Sequence, residues 1–515
     1  MQNLYNNTKI FNFSKFTIKL LVVMLLIHQG LFSQKLDEVY LIDNLKTLSS
    51  SEFQGRKPGT ESFKISEKFV SDKLREIGLK EITPNYQQEF DFCKGYKFDE
   101  STSLSFNVIV PKLGVPIEKI KPRINMLTSG TDWYPSSLSA NGNFDGEVAF
   151  LGYGITAKDL DYDDYAGIDV TNKAVIVLTN SPDGESRTGK FNPFSRYSYK
   201  IKNALDHGAK AIIFVKIQGD SANVFKPLEF MEYGDAPQLI AMQANRATIS
   251  KYFPSTAQLQ PIEQKINSTK KPNSFILPNT TISMKVNLMK EMTKTSNIVG
   301  YLEGTDSELK NEVMVIGAHY DHLGLGAMNS ADPNPYGKIH HGADDNASGT
   351  AALLTLAKYL KDNPTKRSIM FVFFSAEESG LLGSKYFVTT DMMTKYKIVN
   401  MLNIDMIGRY KDELQVGGIG TDNIFKEVLE KLNEMYKFKL NLVNSGKGPS
   451  DHQSFYLKNI PVLFFFTGIH EDYHTPKDTF EKIKKVDYSK ISNFILDVIN
   501  NFGNTDSKFE FKIAD

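Results

Sequence analysis

Four apolar segments without polar alternation recur through the C-terminal half of this chain: MVIGAH, SIMFVFFSA, IVNMLNID and VLFFFTG. A strand of Val, Ile and Phe with no polar side is covered on both faces, which requires a sheet sandwiched between helices. Helical patterns fall between these segments, in NASGTAALLTLAKYL, GLLGSKYFV, NIFKEVLEKLNEMY and a last stretch near 487–502. The alternation defines an α/β unit with a sheet at its centre. With 515 residues the chain has room for two or three domains and a large core.

The preceding segments have a different texture. Amphipathic patterns in LDEVYLIDNLKTLSS and ISEKFVSDKLREIGL predict helices on either side of the turn-rich FQGRKPGTE. That turn lacks the GK[ST] ending of a phosphate-binding loop and is read as structural. Strand-like YQQEFDF and SLSFNVIV follow. From about Asn141 short strands and turns dominate, with GEVAFLGYG, KAVIVLTN and AIIFVK around the helix KIKNALDHGAK. This predicts a compact β-rich module that ends near the polar, Pro-containing stretch 258–278. The tail after Phe502 is short and polar, with no room for a further sorting domain.

Charge excludes several partner classes. Lys plus Arg and Asp plus Glu are both 60, so no basic field draws the chain to nucleic acid or anionic lipid. The single cysteine, Cys93, rules out an internal disulfide and a thiolate-rich zinc site, so any metal here takes N and O ligands. Cys93 itself reads as a small buried hydrophobe. At the N-terminus Lys15 and Lys19 precede the apolar run Leu20 to Ile27, and Ser33 offers a cleavage point before Gln34. This predicts a signal peptide over 1–33, and an exported protein, periplasmic or secreted, with no stable membrane insertion after cleavage.

The chemistry lies where the apolar strands end, the position at which an open α/β sheet carries its site. His319 and Asp321 close VMVIGAHYDHLG, Asp345 sits in HHGADDNASG, Glu377 and Glu378 in FVFFSAEESG, Asp405 in NMLNIDMIG, and Tyr473 and His474 in EDYHTPKDT. Two residues apart at a strand end, His319 and Asp321 project to one side. Either both bind metal, or Asp321 accepts the imidazole N–H and fixes its tautomer. Asp345, Glu378 and Asp405 carry three negative charges beside two neutral imidazoles. Two divalent zinc ions and one hydroxide balance that set, whereas one zinc leaves the pocket anionic. Glu377 is then left over as a base for metal-activated water, which points to hydrolysis rather than structural metal binding. His322, His340 and His341 read as loop histidines near the site.

Taken together, GAHYDH, GADDNASG, SAEESGLLGS, NIDMIG, SDHQSF and YHTPKDT resemble, in order, the motifs of the M28 family of zinc metallopeptidases. The resemblance is strong over 275–505, extends to FQGRKPGTE, and makes 141–255 look like an inserted protease-associated (PA) domain. It implies a phosphorylase/hydrolase-like three-layer α/β/α sandwich with a mixed sheet, formed from 35–135 and 275–510, with a β-rich PA-like insertion at 136–262. It also implies two zinc ions: His319 and Asp405 on one, Glu378 and His474 on the other, and Asp345 between them. Asp321 would orient His319, Glu377 would be the general base, Tyr473 would polarise the scissile carbonyl, and Asp451 would support the site from behind. A cis peptide is expected at Asp345–Asn346. The activity implied is removal of N-terminal residues from peptides. Dipeptidase, carboxypeptidase and glutaminyl cyclase activities, and metal-free binding proteins, also occur in the family.

Overall fold

A computed structural model describes residues 36–184, 186, 188–218, 225–230, 239–332 and 335–514. The signal peptide expected over 1–33 lies outside these residues. No helix among them is long and apolar enough to cross a membrane.

Among the described residues the larger sheet has nine strands, and its centre is parallel. Glu312–His319 lies between Ser368–Phe374 and Lys397–Ile404, parallel to both, and Val462–Phe466 continues parallel beyond the latter. The flanks are antiparallel: Leu288–Leu302 runs against Ser368–Phe374, and Leu414–Gly417 runs against Val462–Phe466. The sheet is therefore mixed.

Side-chain alternation builds the layers. Met314, Ile316 and Ala318 face a core shared with helices Glu38–Leu48, Glu61–Ile77, Gly349–Asp362, Ile424–Tyr436 and Lys485–Asn504. Val313 and Val315 face the other side, against Phe387, Met392 and Phe455 from the short helices Leu382–Phe387, Met392–Lys395 and His452–Tyr456. Both faces are covered, which explains why Ser368–Phe374 is buried at every position. Such a strand cannot alternate polar and apolar residues without burying polar groups. The three-layer α/β/α sandwich expected from sequence is the architecture found.

An eight-stranded sheet forms the second unit. Its middle strands, Gly142–Leu151, Ala174–Leu178, Ala211–Val215 and Ile240–Ala244, are parallel neighbours. Ser274–Val286 and Ser103–Val108 extend it antiparallel. The unit has its own apolar clusters, with Phe106, Phe150, Ile176, Ile213 and Met242 in one and Val175, Ile212 and Ala241 in the other. The ribbon of Gln87–Phe98 against Leu288–Leu302 links the two units, and Cys93 is buried on it.

Candidate metal centre

The register of the parallel strands accounts for half of the site. His319 is the last residue of its strand and pairs with Phe374, so the chain beyond Phe374 delivers Glu377 and Glu378 beside it. Asp405 follows Ile404 on the other neighbouring strand. Three side chains distant in sequence converge because three adjacent strands end at the same edge.

A loop and a helix start supply the carboxylate between them. Gly349 opens the helix Gly349–Asp362; a Cβ there would meet Asn346 Oδ1 and the Ile404 carbonyl, each at 2.4 Å, so only glycine allows the approach. Asn346 ties the loop to the Asp405 strand, donating to Ile404 O at 2.9 Å and accepting from Met406 N at 3.2 Å. The Asp345–Asn346 peptide is cis, as the resemblance led us to expect. The Asp478 carboxylate accepts from the main-chain N–H of Asp344 at 3.0 Å and of Asp345 at 3.1 Å.

Asp345 faces both imidazoles. Its Oδ1 is 3.3 Å from His319 Nε2, and its Oδ2 is 3.2 Å from His474 Nε2. Each imidazole has a second carboxylate. His319 Nε2 is 3.2 Å from Asp405 Oδ1, and His474 Nε2 is 3.1 Å from Glu378 Oε2. Ser450 fixes Asp405 by donating to Oδ2 at 2.8 Å. Glu377 stands slightly back, with its Oε2 4.0 Å from His319 Nε2.

Asp321 acts by two routes. His319 Nδ1 lies 3.2 Å from the Asp321 main-chain carbonyl and 3.7 Å from its carboxylate, so the carbonyl is the closer acceptor. The carboxylate instead accepts the N–H groups of Glu377 at 3.1 Å and Glu378 at 3.3 Å. Asp321 thereby orients the imidazole and the Glu pair together. Tyr473 stacks on His474 with ring centroids 3.8 Å apart. Burial, then the charges of Asp345, Glu378, Glu377 and Asp405, raise its hydroxyl pKa, so it stays a protonated donor. Asp451 is fully buried behind the site, where burial raises its carboxyl to about 7.

The site's electrostatics show which cation chemistry suits it. Burial opposes charging of His319, but Asp405 and Glu377 outweigh it and raise its pKa well above the ordinary value. Burial likewise opposes charging of His474, and Glu378 and Asp345 reverse the balance. Glu378 is held down to about 2, because His474 and the hydrogen bond from His322 exceed its burial cost. The raised imidazoles and the Arg56 guanidinium, which feels Asp345, Asp321 and Asp478, mark a concentration of negative charge on these carboxylates. Divalent metal ions would neutralise that charge. The ligand atoms of His319, Asp345 and Asp405, and those of His322, Asp345 and Glu378, each lie within 4.8 Å of one another. These N and O donors fit divalent metal binding.

Sequence reading missed three contributors. His322, read as a loop histidine, is buried with Nδ1 2.7 Å from Glu378 Oε1. Its spacing of three from His319 was the only sequence signal. Arg56, inside the turn read as merely structural, is fully buried. It donates to the carbonyls of Leu48 at 2.7 Å, Tyr320 at 3.0 Å, and His341 and Gly342 at 2.8 Å. Asn329 donates to Glu378 Oε2 at 3.1 Å, and its carbonyl meets His474 Nδ1 at 2.9 Å. His340 and His341 stay outside the cluster, on Ser330 Oγ at 2.7 Å and the Ser49 carbonyl at 2.9 Å.

The chain matches known proteins in sequence and in fold. The model of peptidase family M28 matches residues 297–499. Aminopeptidase YwaD of Bacillus subtilis (strain 168) is 28% identical over 302 residues, 56% of each chain. Leucine aminopeptidase 2 of Arthroderma otae is 30% identical over 198 residues, 36% of this chain and 37% of that one. The chain thus spans from about a third to somewhat over half the length of these curated relatives. The solved zinc aminopeptidase BSAP from Bacillus subtilis superposes with a TM-score of 0.57 at 20% identity, covering 92% of this chain and 98% of that one. The aminopeptidase from Aneurinibacillus sp. strain AM-1 gives 0.56 at 20% identity, covering 93% and 97%. At that identity the likeness speaks for the fold. The family match spans His319, Asp321, Asp345, Glu377, Glu378, Asp405, Tyr473 and His474, so over residues 297–499 the chain is similar to peptidase family M28.

Proposed function

We propose that this protein is an exported aminopeptidase that holds two zinc ions and hydrolyses the first peptide bond of peptides with a free N-terminus. One observation carries the reading. The two oxygens of Asp345 face two different imidazoles, at 3.3 and 3.2 Å, and each imidazole is backed by a second carboxylate. One zinc would take His319 and Asp405, the other Glu378 and His474, with Asp345 between them. The names of the matched relatives support the peptidase chemistry. We also read 136–262 as a protease-associated module beside the site, and 1–33 as its export signal.

Bound zinc would supply Lewis acidity at the scissile carbonyl and lower the pKa of water to roughly 7. The remaining steps belong to this chain's residues. Burial, reinforced by Glu378, Asp451 and Asp405 against the pull of His319, raises the Glu377 carboxyl well above its ordinary range. A carboxylate held above its ordinary range is a stronger base than a free one. Glu377 takes a proton from water as the oxygen attacks the carbonyl carbon, and returns it to the amine nitrogen as the C–N bond breaks. The Asp321 carboxylate keeps Glu377 and Glu378 in place through their main-chain N–H groups. The protonated Tyr473 hydroxyl donates to the carbonyl oxygen as it gains charge.

The test pairs a panel of aminoacyl amides and dipeptides, free and N-acetylated, with zinc measured on the same preparation. Hydrolysis of the free-amine substrates alone, with two zinc per chain, is expected. Glu377→Gln should lose about 10²- to 10⁴-fold in kcat while keeping its zinc. Wild-type turnover by Glu377→Gln, or equal cleavage of acetylated peptides, contradicts the assignment. Cyclisation of N-terminal glutamine with release of ammonia, on a single zinc, replaces it.

A further inference from the structure

The loop at 326–331 hangs between the two units. On the side of the metal centre, Asn329 binds Glu378 and its carbonyl meets His474 Nδ1. Ser330 Oγ and the Ala331 N–H both donate to the His474 carbonyl, at 3.0 and 2.8 Å. On the opposite side the partners come from the eight-stranded unit. Glu229 Oε2 accepts the Met328 N–H at 2.7 Å, and Ser137 Oγ lies 3.1 Å from Met328 Sδ. Glu229 Oε1 takes Lys57 Nζ at 2.8 Å, and the same ammonium donates to Gly326 O at 3.2 Å. One carboxylate therefore fixes both ends of the short segment that precedes Asn329.

Glu229 is itself held firmly. Glu229 bridges to Gly95, and Tyr96 N–H donates to Leu228 O at 2.7 Å. A Cβ on Gly95 would stand 2.5 Å from that same Leu228 oxygen, so the contact depends on glycine. The pair is also sheltered, with side chains of Glu229 and Lys57 14% and 27% exposed. Around them Pro58, Phe92, Phe230, Leu323 and Ala327 line a cleft that reaches Glu378 and His322.

We propose that Glu229 is a positioning residue for the metal centre. Through Met328 and Lys57 it sets the loop whose Asn329 aims Glu378 and His474. The eight-stranded unit is then part of the enzyme's metal-binding apparatus, and the zinc held by Glu378 and His474 depends on it more than the zinc held by His319 and Asp405. The inference rests on the two-zinc reading above. Groups that orient metal ligands from behind alter affinity or activity by about 10- to 100-fold when removed.

The test uses the full chain with Glu229→Ala, Glu229→Gln and Lys57→Met. Hydrogen exchange on metal-free protein reads the loop, and zinc release to a chelator reads the metal. Glu229→Ala should speed exchange across 326–332 and release one of two zinc ions about tenfold faster, leaving the second at the wild-type rate. Glu229→Gln, which keeps an acceptor for Met328, should restore most of the zinc retention, and Lys57→Met should fall between. Unchanged exchange in Glu229→Ala overturns the proposal, as does a loosened loop with wild-type zinc release or equal acceleration of both ions. If Glu229→Ala does not fold, wild-type zinc release and loop exchange in Lys57→Met overturn it instead. If wild-type protein binds no zinc, the functional reading fails, and the exchange data alone decide whether Glu229 sets the loop.

Discussion

The two halves of the proposed metal centre are built differently. His319 and Asp405 sit at the ends of adjacent parallel strands, and main-chain pairing to Phe374 and Phe465 fixes where they point. Glu378 and His474 stand on loops, and their geometry relies on side-chain partners: His322, Asn329 and Ser330. His474 even has a left-handed backbone, with φ of 55°. A strand-end ligand inherits the rigidity of the sheet, whereas a loop ligand needs its own scaffold, which here reaches back to Arg56 and out to Glu229. The second half should therefore be the softer one, and its perturbations should separate from those of the first.

The largest effect on this contrast should come from Arg56, which braces the Asp345 loop from beneath. Arg56→Met leaves four carbonyls without their buried donor and removes the guanidinium beneath Asp345, Asp321 and Asp478. A loss of about 3 to 5 kcal/mol in unfolding free energy is expected, read by denaturant titration. A cost below 1 kcal/mol would mean that this turn does not hold the site. Single-ligand variants come next. Asp405→Ala and Glu378→Ala should each lose one zinc, with the protein remaining folded by circular dichroism. Loss of both ions in either variant would show that the halves do not act separately.

Smaller effects discriminate more finely. Asn329→Ala should weaken one zinc by about tenfold in a competition titration, while Ser450→Ala, behind the strand-end ligand Asp405, should weaken the other by less. The reverse order would invert the comparison. The smallest effect is on pH. In metal-free protein His319 and His474 have raised pKa values, so the stability they contribute is complete below about pH 6.5 and is lost as pH climbs through their folded values. Raised Glu377 acts in the same direction. Asp345 and Glu378 are lowered, so their contribution is already complete above about pH 5 and does not vary in this window. Buried Lys200, lowered to about 7, contributes the opposite trend above pH 7 with or without zinc. The Tm of metal-free protein relative to zinc-bound protein should therefore fall by about 2 °C or more between pH 6.5 and 9. A metal-free Tm that rises relative to the zinc-bound one over that range would contradict the proton balance.

The same contrast decides what could be read from the chain. Strand ends are legible because largely apolar runs announce buried strands, and the acidic or imidazole residues that follow each run must lie near the sheet edge. His319, Asp405 and the Glu pair follow from that rule. Asp345 was legible through the Gly-flanked loop before a helix, and His474 through its motif. Arg56 was not, because its acceptors Tyr320 and Gly342 lie 264 and 286 residues away and no periodicity marks such a partner. His322 follows the strand end, where the pattern stops and loop geometry takes over. Asn329 and Glu229 are polar residues in irregular segments, and only the folded arrangement gives them partners.

The central claim is a pair of metal sites that share Asp345. The most direct measurement is zinc per chain in purified wild-type protein and in Asp345→Ala, with folding verified on each sample. The account predicts two ions in the wild type and fewer than one in the variant, with turnover lost. One ion in the wild type, or two retained without Asp345, would contradict it.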